Sequence, residues 1–225
     1  MSNLFKKNHT RRKKRGGGII DIPKIVMQTS KNNLPENQVE QLKKKINGWQ
    51  YHFFNDNDIL KFFKDNSDHK YKNISEKFNS IPSGEHKADL FRYYYIYKKG
   101  GVYLDSDLMI YDSLDTIIGK NTFVSVRALS PEGSCFNGFI AAIPGHPIIE
   151  KALSHMYTID YNVLKSDYYS ITKEFCKIIR DYEGGSVKLL DEVKNTDRCF
   201  IRDLESGKIS LIHYHSGPIP DNASK

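Results

Sequence analysis

Two aspartates, Asp105 and Asp107, stand two residues apart directly after the apolar run Val102-Tyr103-Leu104. Side chains alternate faces along an extended segment, so both carboxylates are expected on one side. Converging carboxylates suit a hard divalent cation with oxygen ligands, and a diphosphate can supply the remaining ligands. A cation held there offsets charge developing on a nucleoside-diphosphate leaving group. Asp89 and Arg92 lie three apart on a helical stretch and share a face. They read either as a surface ion pair of small energetic value or as a pair that binds donor-sugar hydroxyls and phosphate oxygens. His213 and His215, two apart near the C-terminus, read as cation ligands or diphosphate contacts, or as one packed and one surface imidazole. Asn137 is a further candidate contact. A bare Asp-x-Asp is also ordinary turn chemistry; the apolar strand before it and the charged helix ending in Gly100-Gly101 argue for more than a turn.

Several elements must position these residues. Residues 22–28 read as a first buried strand, 36–46 as a helix with Val39, Leu42 and Ile46 on one face, and 51–54 as a second strand. Asp56 or Asn57 is expected to cap a helix running through Lys64. This order predicts βαβ units. Residues 65–84 look irregular. A strong helix is predicted over 85–99, stopped by Gly100-Gly101, with a short strand over 102–104 leading into the aspartates. Further strands are expected at 123–126, 139–143, 186–190 and 209–213, and helices at 147–157 and 171–182. The fold class is therefore α/β. Open sheets of that class bind ligands at the C-terminal ends of their strands, where Asp105 and Asp107 fall.

Composition bounds the rest. The chain has 225 residues with 39% hydrophobic and 27% charged residues, enough for one domain with a sizeable core. The net charge of +7 matches Lys6, Lys7, Arg11, Arg12, Lys13, Lys14 and Arg15, all in the first eighteen residues. We expect a basic disordered tail over 1–18, able to contact nucleic acid or an anionic surface, and a single domain over 19–225. No apolar run reaches the ~20 residues of a membrane span, and no signal peptide is visible. Cys135, Cys176 and Cys199 are few, odd in number and far apart, which fits reduced thiols. A cytoplasmic or cytosol-facing location is the corresponding expectation.

The central block also carries a resemblance. Ile22-Pro23-Lys24-Ile25-Val26 with Gln28-Thr29-Ser30, then Lys87-Ala88-Asp89-Leu90 with Arg92-Tyr93, then Gly100-Gly101-Val102-Tyr103-Leu104-Asp105-Ser106-Asp107, and finally Pro144-Gly145-His146-Pro147 resemble glycosyltransferase family 32. This is the D-x-D sugar-binding group that includes initiating α-1,6-mannosyltransferases. The resemblance spans roughly residues 22–150. It implies a GT-A fold, a Rossmann-like domain with a mixed β-sheet flanked by helices. It further implies a nucleotide-sugar donor (UDP- or GDP-sugar), Mn²⁺ or Mg²⁺, retention of anomeric configuration, and a glycan, protein or lipid acceptor.

By that resemblance Asp89, Arg92, Asp105 and Asp107 are the catalytic candidates. Gln28, Thr29, Asp89, Arg92, Tyr93, Ser106 and Asn137 are the donor-binding candidates, and Asp105, Asp107, His213 and His215 the metal candidates. The chain departs from the family pattern at Met27, where a His is frequent, and at Pro218-Ile219, where Ser-Trp is frequent. Three rivals stand beside this reading. A haloacid-dehalogenase-type phosphatase also places D-x-D after an apolar strand, but it wants Thr or Val where Met109 stands. A nucleic-acid-binding protein acting through its basic arm explains residues 6–15 alone. A catalytically inactive sugar-nucleotide-binding protein shares every feature of the transferase.

Overall fold

A computed structural model describes residues 21–194 and 198–214. The basic arm and His215 lie outside the described residues. In chain order the elements are β1 (Ile25–Thr29), α1 (Glu36–Lys45), β2 (Gln50–Phe54), α2 (Asp56–Asp65), a 3₁₀ turn (His69–Tyr71), α3 (Ile74–Ser80), α4 (Gly84–Lys99), β3 (Gly101–Leu104), β4 (Leu108–Ile110), α5 (Leu114–Ile118), β5 (Phe123–Arg127), β6 (Cys135–Ala142), α6 (Pro147–Thr158), α7 (Tyr161–Ser166), α8 (Ser170–Arg180), β7 (Val187–Lys194), β8 (Cys199–Arg202) and β9 (Ile209–His213).

The strands form one mixed sheet in the order β2-β1-β3-β6-β5-β7-β8-β9-β4. β1 pairs in parallel with β2 and β3, which is the βαβ expectation realised. β6 runs antiparallel to both β3 and β5, and β5 is parallel to β7. The last four strands are antiparallel. Side-chain alternation sends successive residues into two cores. Met27, Tyr103, Phe123 and Ala142 join α2, α3, α4, α6 and α8 on one face. Val26, Val102, Val124 and Ala141 meet Leu42 of α1 and Leu114 and Ile117 of α5 on the other.

The Asp105-Ser106-Asp107 segment joins β3, in the first half of the sheet, to β4 at its far edge. Six inter-strand steps of about 4.8 Å would separate those strands by roughly 29 Å in a flat sheet. The four peptide units between Leu104 and Leu108 reach at most about 15 Å. The sheet is therefore curled, and the two aspartates sit where its ends approach each other.

α4 is the central helix. Every residue from Asp89 to Ile96 is buried, which exceeds the two stripes predicted for it. Full burial of Leu90, Phe91 and Ile96 contributes roughly 1.5–3 kcal/mol each. Phe54, Phe62 and Phe63 meet its Phe91 and Tyr94 in edge-to-face contacts. Ser83 caps its N-terminus by accepting from the His86 amide. Its end requires glycine. Gly100 has φ +68°, and a Cβ there would lie 2.7 Å from the Pro144 ring and 2.9 Å from the Ala142 carbonyl.

Several local expectations need correction. α2 is capped by Asn55, whose side chain accepts from the Asn57 and Asp58 amides while Asp58 reaches back to the Asn55 amide. Asp56 is its first helical residue. The stretch 65–84 is not irregular: it holds the 3₁₀ turn and α3, which bury Tyr71, Ile74 and Phe78. Ile74 and Phe78 alone form the buried stripe of α3, too short a period to read. β4, α5, α7 and β8 were likewise unforeseen. No disulfide joins Cys135, Cys176 or Cys199 among the described residues. Among the described residues no helix is long and apolar enough to cross a membrane.

Candidate active site

A cavity of about 840 Å³ opens at the C-terminal ends of β1, β2 and β3, within the size range of small-molecule sites. Thr29, Asp89, Arg92, Asp105, Ser106, Asp107, Asn137 and His213 all line it, so most of the predicted set is brought together.

Arg92 organises the floor. It is 4% exposed. One terminal nitrogen donates to the Asn137 carbonyl at 2.7 Å and lies 3.3 Å from Asn137 Oδ1. The other sits 3.4 Å from both Asp89 Oδ1 and Asp105 Oδ1. The guanidinium carbon stands 4.1 Å from the centre of the Tyr103 ring. Burial disfavours its charge, but Asp105, Tyr103 and Asp89 more than offset that, so its pKa lies above the ordinary value. Burial raises the pKa of Asp89, against the pull of Arg92. Asp89 also accepts from Asn137 Nδ2 at 2.8 Å. This is a buried network, where the surface ion pair was the bland alternative.

The aspartate segment is a turn and not the extended stretch expected, with the Leu108 amide donating back to the Asp105 carbonyl at 3.2 Å. Asp105 folds onto the Arg92 side, where the Tyr103 hydroxyl donates to Oδ1 at 2.5 Å. Tyr103 is in turn 3.3 Å from Thr29 Oγ1. The backbone of the turn is held from behind: Gln28 Nε2 donates to the Asp105 carbonyl at 3.3 Å, and Gln38 donates to the Ser106 carbonyl. Asp107 lies on the other side, with Oδ2 3.4 Å from His213 Nε2. Its Oδ1 is buried and has no hydrogen-bond partner among the described residues.

Three predicted residues take other places. Gln28 does not line this cavity; it braces the turn from a separate, smaller pocket, held by the Tyr51 hydroxyl at 3.1 Å. Tyr93 is fully buried behind the floor, 3.2 Å from Asn137 Nδ2, and does not line the cavity. His213 was expected as a metal ligand, but both ring nitrogens face carboxylates, Glu192 at 2.9 Å and Asp107 at 3.4 Å. Burial alone would lower its pKa; the two carboxylates override this and push it up to about 9. The ring also stacks on Phe136 with centroids 4.7 Å apart. Its geometry is that of a support for Asp107.

Glu192, Phe136 and Gln38 were not anticipated in these roles. Glu192 and Gln38 reach the site from β7 and α1, remote in the chain, with no local signal, while Phe136 flanks the candidate Asn137 on β6. Tyr103 was inside the quoted motif, but only as an apolar strand residue.

Acid exceeds base around the cavity floor. Asp89, Asp105, Asp107 and Glu192 face Arg92 and His213, so a diphosphate would meet excess negative charge. A divalent cation removes that conflict. Asp107 Oδ1, buried without a partner, fits a cation ligand, and two carboxylates plus a diphosphate is a donor set hard cations accept. Among the described residues no cluster of three or more His, Cys, Asp or Glu forms a complete protein cage. The residues fit a cation shared with substrate.

Comparison with known proteins places this arrangement. The family described as a glycosyltransferase sugar-binding region containing a DXD motif matches residues 32–124. Inositol phosphoceramide mannosyltransferase 1 of Schizosaccharomyces pombe is 30% identical over 178 residues, covering 72% of this chain and 54% of that protein. A mannosyl phosphorylinositol ceramide synthase of Saccharomyces cerevisiae is 29% identical over 143 residues, covering 62% of this chain and 36% of that protein. The chain thus spans about half or less of the length of these curated relatives. The solved structure of PaToxG glycosyltransferase matches with a TM-score of 0.52 at 15% identity, over 70% of this chain and 69% of that one, and shows the same GT-A fold. Over residues 32–124 the chain is thus similar to the glycosyltransferases whose sugar-binding region contains a DXD motif, and the fold around that region is GT-A.

Proposed function

We propose that this protein transfers a hexosyl group, with mannosyl the first candidate, from a nucleoside-diphosphate sugar to a hydroxyl acceptor. The acid-rich floor around Asp105 and Asp107, set beside the buried Asp89–Arg92 pair in one cavity, carries this reading. The names of the curated relatives, which are mannosyltransferases acting on inositol phosphoceramide, favour mannose and an acceptor bearing a cyclitol or sugar.

Asp105 and Asp107 would hold a divalent cation, Mn²⁺ or Mg²⁺, which supplies charge neutralisation for the departing diphosphate. Arg92 and Asp89 bind and orient the donor sugar. Thr29 and Ser106 line the donor side of the same cavity, and Asn137 keeps both members of the pair in place. The C1–O bond to the diphosphate breaks, the C1–O bond to the acceptor forms, and the acceptor proton leaves with the diphosphate. By family resemblance the product retains the anomeric configuration. Fixed charges and fixed geometry account for most of the rate gain, since they need no reorganisation during reaction.

The test is release of nucleoside diphosphate from a panel of UDP- and GDP-sugars with Mn²⁺, beside an Asp105→Asn/Asp107→Asn variant. Slow hydrolysis of one donor, lost in the variant and in chelator, is the expected result. Donor binding without turnover, even with acceptors supplied, would point instead to a sugar-nucleotide-binding protein. No donor binding at all would sink the reading.

A further inference from the structure

His86 is unused by the network above, yet it lines the same cavity. It is 5% exposed, and both ring nitrogens are buried without a hydrogen-bond partner among the described residues. An imidazole left so carries the desolvation cost of its unsatisfied groups, which a bound ligand would remove. Its cover is the Tyr168 ring, with centroids 5.3 Å apart. Tyr168 is 55% exposed and touches Tyr169 edge-on, itself 46% exposed, so this cover stands at the solvent rim of the cavity.

The chemistry of the spot restricts the ligand. An imidazole has two ring nitrogens that can exchange hydrogen bonds with hydroxyl groups, which both donate and accept, whereas an ionised phosphate only accepts. Glu85 and Asp89 flank His86 on the same helix and disfavour an anion; of the neighbouring cations, Lys87 faces Asp56 at 3.7 Å and Arg92 is shared between Asp89 and Asp105. Phenol rings at the rim present flat, amphipathic faces suited to a hydroxylated ring. His86 is six residues from Arg92 along α4, about 9 Å of helix axis. Asp89 lies between the two on α4, so His86 stands at the end of the donor-sugar contacts away from Arg92, where a second ring would meet it.

We propose that His86, with Tyr168 as a movable cover, binds a hydroxyl pair of the acceptor, and that the acceptor presents a neutral polyhydroxylated ring, a sugar or a cyclitol. The inference rests on the glycosyl-transfer reading of the site.

The experiment uses the full chain with Mn²⁺ and GDP, and follows saturation-transfer NMR signals from methyl α-D-mannopyranoside and from myo-inositol. Signal from the first alone assigns a sugar, from the second alone a cyclitol; either supports the proposal when the His86→Phe variant lowers it tenfold or more. His86→Phe keeps the ring volume and removes the unpartnered nitrogens, so its thermal midpoint should equal or exceed the wild type. His86→Asn, which retains a donor and an acceptor, should recover part of the signal. Absence of signal in the wild type, or equal signals in wild type and His86→Phe, overturns the proposal. Donor hydrolysis by the same wild-type preparation reports separately on the glycosyl-transfer reading.

Discussion

Gly138 on β6 approaches the Asp105 carboxylate so closely that a Cβ at that position would collide with Oδ2 and with the Phe136 ring. The Gly138 carbonyl also accepts the Asp105 amide at 2.8 Å. One strand residue thus sets both the backbone and the side chain of the first aspartate.

Gly138→Ala should lower turnover at least 100-fold and destabilise the fold by about 1–3 kcal/mol, the usual cost of overpacking. Adding Phe136→Ala should relieve the ring collision without relieving the carboxylate. A double variant that regains urea resistance but not turnover would bear this out; full recovery of turnover would contradict it.

Arg92 has two separable duties. Arg92→Met leaves Asp89 and Asp105 facing each other uncompensated and should cost about 3–5 kcal/mol in urea unfolding. Arg92→Lys keeps the charge but loses the fork that reaches Asn137 and both carboxylates. It should fold and yet lose roughly 10²–10³ in kcat. Wild-type turnover in the lysine variant would show that charge alone suffices.

Asp107 is 39% exposed at its side chain, and its Oδ1 has no hydrogen-bond partner among the described residues. Asp107→Asn should weaken Mn²⁺ binding in the presence of GDP by tenfold or more, read by the free-Mn²⁺ electron paramagnetic resonance signal. The thermal midpoint should move by only a few degrees. Unchanged Mn²⁺ affinity would remove Asp107 from the cation site.

His146 makes the fold acid-sensitive away from the cavity floor. It caps α6 by accepting the Ile148 amide at Nδ1, packs against Phe123 and Tyr182, and is 1% exposed. Burial lowers its pKa to about 4. The unfolded chain, with an ordinary value near 6.5, binds the proton first as pH falls. The contribution of His146 to stability is therefore full above about pH 6.5 and declines toward pH 4, by on the order of 3 kcal/mol. His146→Asn keeps a capping oxygen and should flatten the urea midpoint between pH 6.5 and 4.5. An equally steep profile in that variant would assign the effect to other groups.

Much of the scaffold was legible because its signals are local. The apolar run Val102-Tyr103-Leu104 and the Gly100-Gly101 stop mark β3 and the end of α4 without reference to anything distant. The spacing of Asp89 and Arg92 places them on one helix face. The irregular reading of 65–84 failed for the same reason in reverse: α3 is short, and its helicity depends on Ile74 and Phe78 finding a neighbouring core.

The sequence by itself determined the α/β class, the helix bearing Asp89 and Arg92, and the position of Asp105 and Asp107 at a strand end. Each follows from side-chain periodicity or backbone freedom within a few residues. Only the tertiary structure decided that Gln28 braces the turn from outside the cavity, that His213 is held between Glu192 and Asp107, and that Gly138 seats Asp105. Those contacts join β1, β6, β7 and β9 to the link between β3 and β4. They exist because three residues must bridge the two ends of a curled sheet, a closure condition on the whole chain that no local pattern carries.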